Sequence, residues 1–151
     1  MISYRKGNLL DSNCDIICHQ VNLFGVMSKG LALRIAKKWP RCEREYKEWC
    51  QKKNVDMSGK ISIFEYKADT KIKYIANCFS QRDDFSTNSK WLSGIVADIH
   101  SFAENNDCQT IGISKSYGYV GINNNTNRVI GIWEREFAED KDIKLEIWDN
   151  G

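Results

Sequence analysis

The sequence predicts an α/β fold of three layers, α/β/α, with helices on both faces of a central mixed sheet of about six strands. Three observations carry that expectation. The segment from Asp15 to Val21 opens with the apolar run Ile16-Ile17-Cys18, the pattern of a strand covered on both faces. Trp91, Leu92, Ile95, Val96, Ile99, Phe102 and Ala103 recur at helical spacing and form one apolar stripe. Short strand patterns and helical patterns then alternate along the chain, as they do when crossover helices pack on a sheet.

The elements follow in order. Ile2-Ser3-Tyr4 is a short alternating strand, and Asp15 to Val21 is the second, turning polar at His19-Gln20. Leu31, Ala32, Ile35, Ala36 and Trp39 define a helix from Gly30. Pro40, which loses no hydrogen bond at a first helical position, starts another that carries Cys42, Tyr46, Trp49 and Cys50 to the neighbourhood of Lys53. Gly59 closes that connection. Ile61 to Tyr66 and Lys73 to Phe79 read as neighbouring strands separated by the polar stretch Lys67 to Thr70. A polar loop from Ser80 to Ser89 leads into the long helix, which ends near Asn105-Asn106. Thr110 to Ser114 is a short buried strand. A loop rich in Gly and Asn, a helix with Val129, Ile130, Trp133 and Phe137, and a last strand from Lys144 to Trp148 complete the order.

Composition bounds the rest. At 151 residues the chain has the size of a single domain, here taken as 1–151, with 42% hydrophobic and 28% charged residues and one proline. The formal charge of +2 is too small and too evenly spread for a dedicated nucleic-acid surface. No signal-peptide core or membrane-length apolar run is present, so a cytoplasmic monomer with no membrane partner is expected. Cys14, Cys18, Cys42, Cys50, Cys78 and Cys108 contain no C-x2-C pair, which argues against a zinc centre; Cys18 and Cys78 fall in apolar runs and read as core thiols. No metal or cofactor is expected.

Open α/β sheets bind ligands beyond the carboxyl ends of their strands, and two loops lie there. The first, His19 to Gly30, runs into a helix N-terminus, where unpaired N–H groups and the helix dipole favour a phosphate. It is not a Walker A loop: Gly25-x4-Gly30 continues with Leu31-Ala32 where Lys and Ser or Thr are needed. The second, Ser114 to Thr126, carries Gly118 and Gly121 for tight turns and Tyr117 and Tyr119 for contact with a sugar or base. Taken alone, the first loop is equally consistent with a purely structural role, and the second reads first as an ordinary surface turn.

Gly7-Asn8-Leu9-Leu10, then Asp15 to Asn22, then Gly25-Val26-Met27-Ser28-Lys29-Gly30-Leu31-Ala32 resemble the opening signature of macrodomains, which bind ADP-ribose. Ile35-Ala36, Trp39-Pro40, Tyr46 and Gly59-Lys60 resemble the branch that includes ADP-ribose 1″-phosphate phosphatases and terminal ADP-ribose protein glycohydrolases. The resemblance implies a macrodomain-like fold and a set of roles. Asn8 reads the adenine amino group, and Asn22 lies near the distal ribose. Gly25, Met27, Ser28, Lys29 and Gly30 form the diphosphate cradle. Ser114, Tyr117, Gly118, Tyr119, Val120 and Gly121 form the second phosphate loop. His19, an acid or base near neutral pH or else a hydrogen-bonded structural residue, is the candidate catalytic group.

The chain departs from that pattern in three places. Ser28-Lys29-Gly30 replaces Gly-x-Gly, adding a Cβ and a cation. Asn123, Asn124 and Asn125 stand where the glycohydrolases carry a carboxylate. Gln81 or Arg82 occupies the region of their nucleophilic lysine, and neither is a competent amine. The expected function is therefore binding of ADP-ribose or a derivative, free or protein-linked, with phosphatase-like hydrolysis. Asp83 and Asp84 are either helpers in that reaction or solvated loop residues. The alternatives are a reader without turnover and a protein that sequesters a modified or cyclic ADP-ribose.

Overall fold

A computed structural model describes residues 1–149 of the chain. Its order is β1 (Ile2–Arg5), a single 3-10 turn (Leu9–Asp11), β2 (Ile16–Gln20), α1 (Gly30–Lys38), α2 (Pro40–Gln51), β3 (Ile61–Ala68), β4 (Lys71–Cys78), α3 (Ser89–Asn105), β5 (Thr110–Ser114), α4 (Thr126–Phe137) and β6 (Lys144–Trp148). The six strands form one sheet in the order β1-β6-β5-β2-β4-β3. All neighbours are parallel except β3 and β4, which form an antiparallel hairpin at one edge. The mixed sheet of six strands is the one expected.

Strand alternation explains the three layers. Ile16 and Cys18 point into a core shared with Leu92, Ile95 and Ile99 of α3 and with Val129, Trp133 and Phe137 of α4. Ile17, between them, points the other way, into a core with Leu9, Leu10, Ile35 and Cys42. A third cluster under the first loop holds Val21, Met27, Ala36, Tyr46, Met57 and Phe79. Leu9 and Cys14 crowd the backbone of Gly112, where an added Cβ would stand 2.7 Å from Leu9 Cδ1. All six cysteines are free thiols, and Cys18 and Cys78 are fully buried.

The hairpin turn is shorter than the polar stretch between the two strands suggests. Lys67 and Ala68 belong to β3 and Lys71 and Ile72 to β4, which leaves Asp69-Thr70 as the turn. Asp69 sits at φ 57°, the left-handed conformation a two-residue hairpin loop requires. At an exposed edge, polar side chains do not end a ladder whose backbone pairing is intact.

A charge cluster with no local sequence signature ties α3 to the end of α4. His100 Nδ1 donates to Glu136 Oε2 at 2.7 Å and Nε2 donates to Asp140 Oδ2 at 2.6 Å, an arrangement that needs the doubly protonated imidazolium. Burial lowers its pKa, but the hydrogen bonds of Glu136 and Asp140 and the charges of Glu104 and Glu136 outweigh it, and the net shift is upward from 6.5. A raised pKa stabilises the fold fully below the unfolded value and loses that contribution as pH rises through the folded value. The penalty of His100→Gln, read by denaturant unfolding, is thus expected to be about 1 kcal/mol near pH 5 and to shrink toward zero near pH 9. A penalty that grows with pH would contradict this account.

Candidate functional site

A cavity of about 850 Å³ opens beyond the carboxyl ends of β2 and β5. One wall is the β2–α1 loop and the first turn of α1, with Asn22, Phe24, Val26, Ser28, Lys29, Gly30, Leu31 and Ala32. The facing wall is the end of β5 and the loop after it, with Ser114, Tyr117, Gly118 and Tyr119, while Gln81 and Phe85 enter from the loop after β4. Cys18, His19, Gln20 and Val21 of the second strand segment also line it. A smaller depression on α2 lies among Arg41, Arg44, Glu45 and Glu48, on a helix face where Arg41 pairs with Glu45 at 3.6 Å.

The starts of α1 and α2 both lack a side-chain cap, but α2 opens on Pro40 and only the start of α1 lines the cavity. Asn88 and Asn125 cap α3 and α4, each accepting hydrogen bonds from N–H groups of the first turn. Lys29, at the equivalent position of α1, makes no such bond, so the first-turn N–H groups beside the cavity have no side-chain acceptor. Gly30 sits at φ 56° and Gly118 at φ 80°, and among the described residues a Cβ on either would meet nothing beyond its chain neighbours within 4 Å. Both glycines answer to the left-handed backbone, and both leave bare main chain beside open space. Among the described residues Lys29 is the sole cation in the cavity wall, and no carboxylate lines it.

The first loop is held from behind. Asn22 Oδ1 accepts from the N–H of Phe24 at 2.9 Å and lies 2.7 Å from the Tyr46 hydroxyl, and Asn22 Nδ2 donates to Val26 O at 2.9 Å. Met27 is 3% exposed and packs with Val21, Ala36 and Tyr46, so it anchors the loop from inside. Gly25, at φ 78°, lies against Cys50 of α2.

His19 lies in the cavity wall but is 3% exposed. Asn77 Nδ2 donates to Ser62 Oγ at 3.1 Å, which turns Asn77 Oδ1 toward His19 Nε2 at 2.6 Å. Nε2 therefore carries the proton, and Nδ1 is a buried lone pair without a protein partner. Burial pushes the pKa down to about 4, against the upward pull of the Asn77 bond. Of the two roles left open by the sequence, this geometry favours the hydrogen-bonded one, and His19 is a neutral imidazole near neutral pH.

The second loop divides between the cavity and its support. Tyr117, at φ 54°, buries its ring against Trp133, with centroids 5.8 Å apart. Gly121 faces away from the cavity, and a Cβ there would stand 2.6 Å from Ser86 Cβ, so this glycine serves loop–loop packing. Val120 is buried and its carbonyl accepts from Thr87 N at 2.8 Å and Asn124 Nδ2 at 2.7 Å. The asparagine run thus locks one loop to another at Asn124 and caps α4 at Asn125.

The structure brings together His19, Asn22, Ser28, Lys29, Gly30, Ser114, Tyr117, Gly118 and Tyr119. It leaves Gly25, Met27, Val120 and Gly121 behind the wall. Asn8 is also outside the wall: its Oδ1 accepts from Leu10 N at 3.0 Å and from Arg34 Nη1 at 3.1 Å, capping the 3-10 turn. Asp83 and Asp84 are exposed, and Asp84 accepts from Ser86 N within its own loop. Sequence reasoning did not assign Gln20, Phe24 or Phe85 to the site and named Gln81 only as standing where a nucleophilic lysine is absent. The polar end of β2 and an aromatic side chain in a glycine loop were signals for Gln20 and Phe24; nothing local marks Phe85, whose ring meets that of Phe24 at 5.5 Å.

No family model matches the chain. It is 29% identical over 91 residues to a DNA ADP-ribosyl glycohydrolase of Thermus aquaticus, covering 60% of this chain and 23% of that protein. It is 36% identical over 64 residues to an ADP-ribose 1″-phosphate phosphatase of Saccharomyces cerevisiae, covering 41% of this chain and 36% of that one. The matched part is thus a minor part of either relative. Among solved structures it is similar to the macrodomain of Mycobacterium tuberculosis DarG, with TM-score 0.85, 19% identity, and coverage of 100% of this chain and 99% of that one. It is also similar to Thermosipho africanus DarTG in complex with ADP-ribose, with TM-score 0.77, 16% identity, and coverage of 97% and 41%.

Proposed function

From the macrodomain fold of this chain, we infer that its cavity binds ADP-ribose or a derivative and hydrolyses a substituent on the distal ribose, as an ADP-ribose 1″-phosphate phosphatase does. The observation that carries this reading is the convergence of Gly30 and Gly118 on one cavity. A diphosphate laid between them meets the uncapped first turn of α1 on one side and the second loop on the other. Lys29 adds the charge that Ser28 cannot. Asn22 spends Oδ1 and one Nδ2 hydrogen on its own loop, which leaves the other hydrogen for the ribose. For Asn8 to read adenine, the amino group takes the place of Arg34 on Oδ1.

In this reading Nδ1 of His19, the ring nitrogen left over by Asn77, accepts the proton of the attacking water, a step that requires the buried ring to turn toward the cavity. Water adds to phosphorus, the bond from phosphorus to the ribose oxygen breaks, and that oxygen takes a proton from solvent. The second reading is a reader that binds without turnover. It is favoured by the low basicity of His19 and by a wall without carboxylates.

One set of measurements separates them. A thermal-shift panel of ADP-ribose, cyclic ADP-ribose, ADP, NAD and ADP-ribose 1″-phosphate is expected to rank ADP-ribose or its 1″-phosphate first, with about 2.7 kcal/mol of added stability at a hundredfold excess over Kd. Phosphate release from ADP-ribose 1″-phosphate that disappears in His19→Ala, with ADP-ribose binding retained, supports hydrolysis. Binding without release supports the reader, and release at an unchanged rate in His19→Ala removes His19 from the reaction. ADP-ribosylated protein and ADP-ribosylated DNA extend the panel to linked substrates.

The same reading takes the chain as one domain acting as a cytoplasmic monomer. Free thiols suit a reducing compartment, and among the described residues no helix is long and apolar enough to cross a membrane. Phe24, Val26, Phe85 and Tyr119, all exposed, line the cavity, which directs this apolar surface to a ligand.

A further inference from the structure

We propose that Gln20 is a positioning residue that fixes the second phosphate loop in its binding conformation by gripping the carbonyls of Tyr117 and Tyr119. The inference rests on the ADP-ribose reading for its consequence, but the grip itself stands on geometry.

Gln20 is the last residue of β2, and its side chain uses every hydrogen-bonding position it has. Nε2 donates to Tyr119 O at 2.9 Å and to Tyr117 O at 3.4 Å. Oε1 accepts from Ser80 Oγ and from Thr87 Oγ1, both at 2.8 Å. The orientation of the amide is forced, because carbonyl oxygens only accept and must face the NH2 group. Gln81 Nε2 supplies a second donor to Tyr119 O at 3.1 Å. One carbonyl of the loop is thus held by two side-chain amides from the strand ends beneath it.

The consequence follows from the planarity of the peptide group. In a trans peptide the C=O and the next N–H point in opposite directions, so tying down the carbonyls of Tyr117 and Tyr119 sets the directions of the Gly118 and Val120 N–H groups. The Gly118 N–H, beside the cavity and 3.3 Å from Ser116 Oγ, is the donor this hold aims, and a phosphate takes it over from that hydroxyl; the peptide before Val120, behind the wall, fixes the far side of the same turn. The loop needs an outside hold: Tyr117 occupies φ 54°, a conformation unfavourable for a bulky side chain, and Gly118 resists nothing. A hydrogen-bonded amide on a rigid strand provides the hold without placing a charge beside the diphosphate.

Gln20→Glu tests this with almost no change of shape. Ionised, it turns a carboxylate oxygen toward the two carbonyls in place of two donors. ADP-ribose affinity relative to wild type is expected to fall on the order of tenfold near pH 8. Amide hydrogen exchange across residues 117–121 of the ligand-free protein should quicken. Protonation restores a donor, and a carboxyl among acceptor oxygens titrates above the usual value of about 4.3, so the affinity ratio should climb back toward one as pH falls to about 5.5. A general loss of structure would not show that recovery. A ratio of one at every pH overturns the proposal, as does a loss that persists on acidification. Should the Glu variant not fold, Thr87→Val removes one hydroxyl donor from Oε1 and is expected to weaken binding several-fold; unchanged affinity overturns the proposal. Failure of the wild type to bind ADP-ribose sinks the functional reading instead, and the exchange comparison, which needs no ligand, still decides the grip: unaltered exchange in Gln20→Glu ends it.

Discussion

Asn22→Ala is expected to abolish measurable ADP-ribose binding, a loss of roughly a hundredfold or more, and to cost about 1–3 kcal/mol of stability. The N–H of Phe24 loses its acceptor and the carbonyl of Val26 its donor, while the single proton of the Tyr46 hydroxyl, 2.7 Å from both oxygens of Asn22, is left with the main-chain one. With that main-chain bond kept, the strand end survives while the turn leading to Lys29 loses its template. Asn22→Asp is the control that separates shape from charge. It keeps Oδ1 and most of the turn, places a negative charge beside the proposed diphosphate, and is expected to fold well while binding poorly. Calorimetric titration with ADP-ribose and chemical denaturation of the three proteins check both parts. An Asn22→Ala protein that binds as tightly as wild type would show that the loop needs no internal scaffold.

Trp133→Ala carries the largest expected stability loss, about 3–5 kcal/mol, because the side chain is fully buried at the centre of the larger core. It also supports Tyr117 from below, so the loop that faces the cavity loosens with the core. Trp133→Phe should be far milder: it keeps most of the volume and removes an indole N–H that is buried without an acceptor. Denaturant midpoints of the three proteins are the measurement. A phenylalanine variant as unstable as the alanine one would contradict the reading of the indole N–H as unpaired.

Much of the fold was legible because its signals are local. Ile16-Ile17-Cys18 announces a strand buried on both faces, and the stripe from Trp91 to Ala103 announces a helix, whatever the rest of the chain does. The two loops were legible too, since polar residues at the end of β2 and glycines after β5 mark strand ends that open into a crevice. What escaped is non-local. Gly118 and Gly121 look alike in sequence, yet one borders the cavity and the other exists to let Ser86 approach. Asn8 and Met27 occupy motif positions, but their contacts with Arg34 and with Tyr46's cluster depend on how α1 and α2 pack. The two roles open to His19, titrating group or hydrogen-bonded structural residue, were not separable because burial depth is invisible in a sequence; an almost closed environment makes it neutral. His100 gave no hint, since its carboxylate partners lie on and just beyond another helix.

In the proposed function the start of α1 and the turn at Gly118 hold one diphosphate between them. Backbone amide shifts of uniformly labelled protein, followed during titration with ADP-ribose, test it most directly. The prediction is that the N–H resonances of Gly30, Leu31, Gly118 and Tyr119 move together and saturate with a single dissociation constant. Shifts confined to one of the two segments, or to neither, would contradict it.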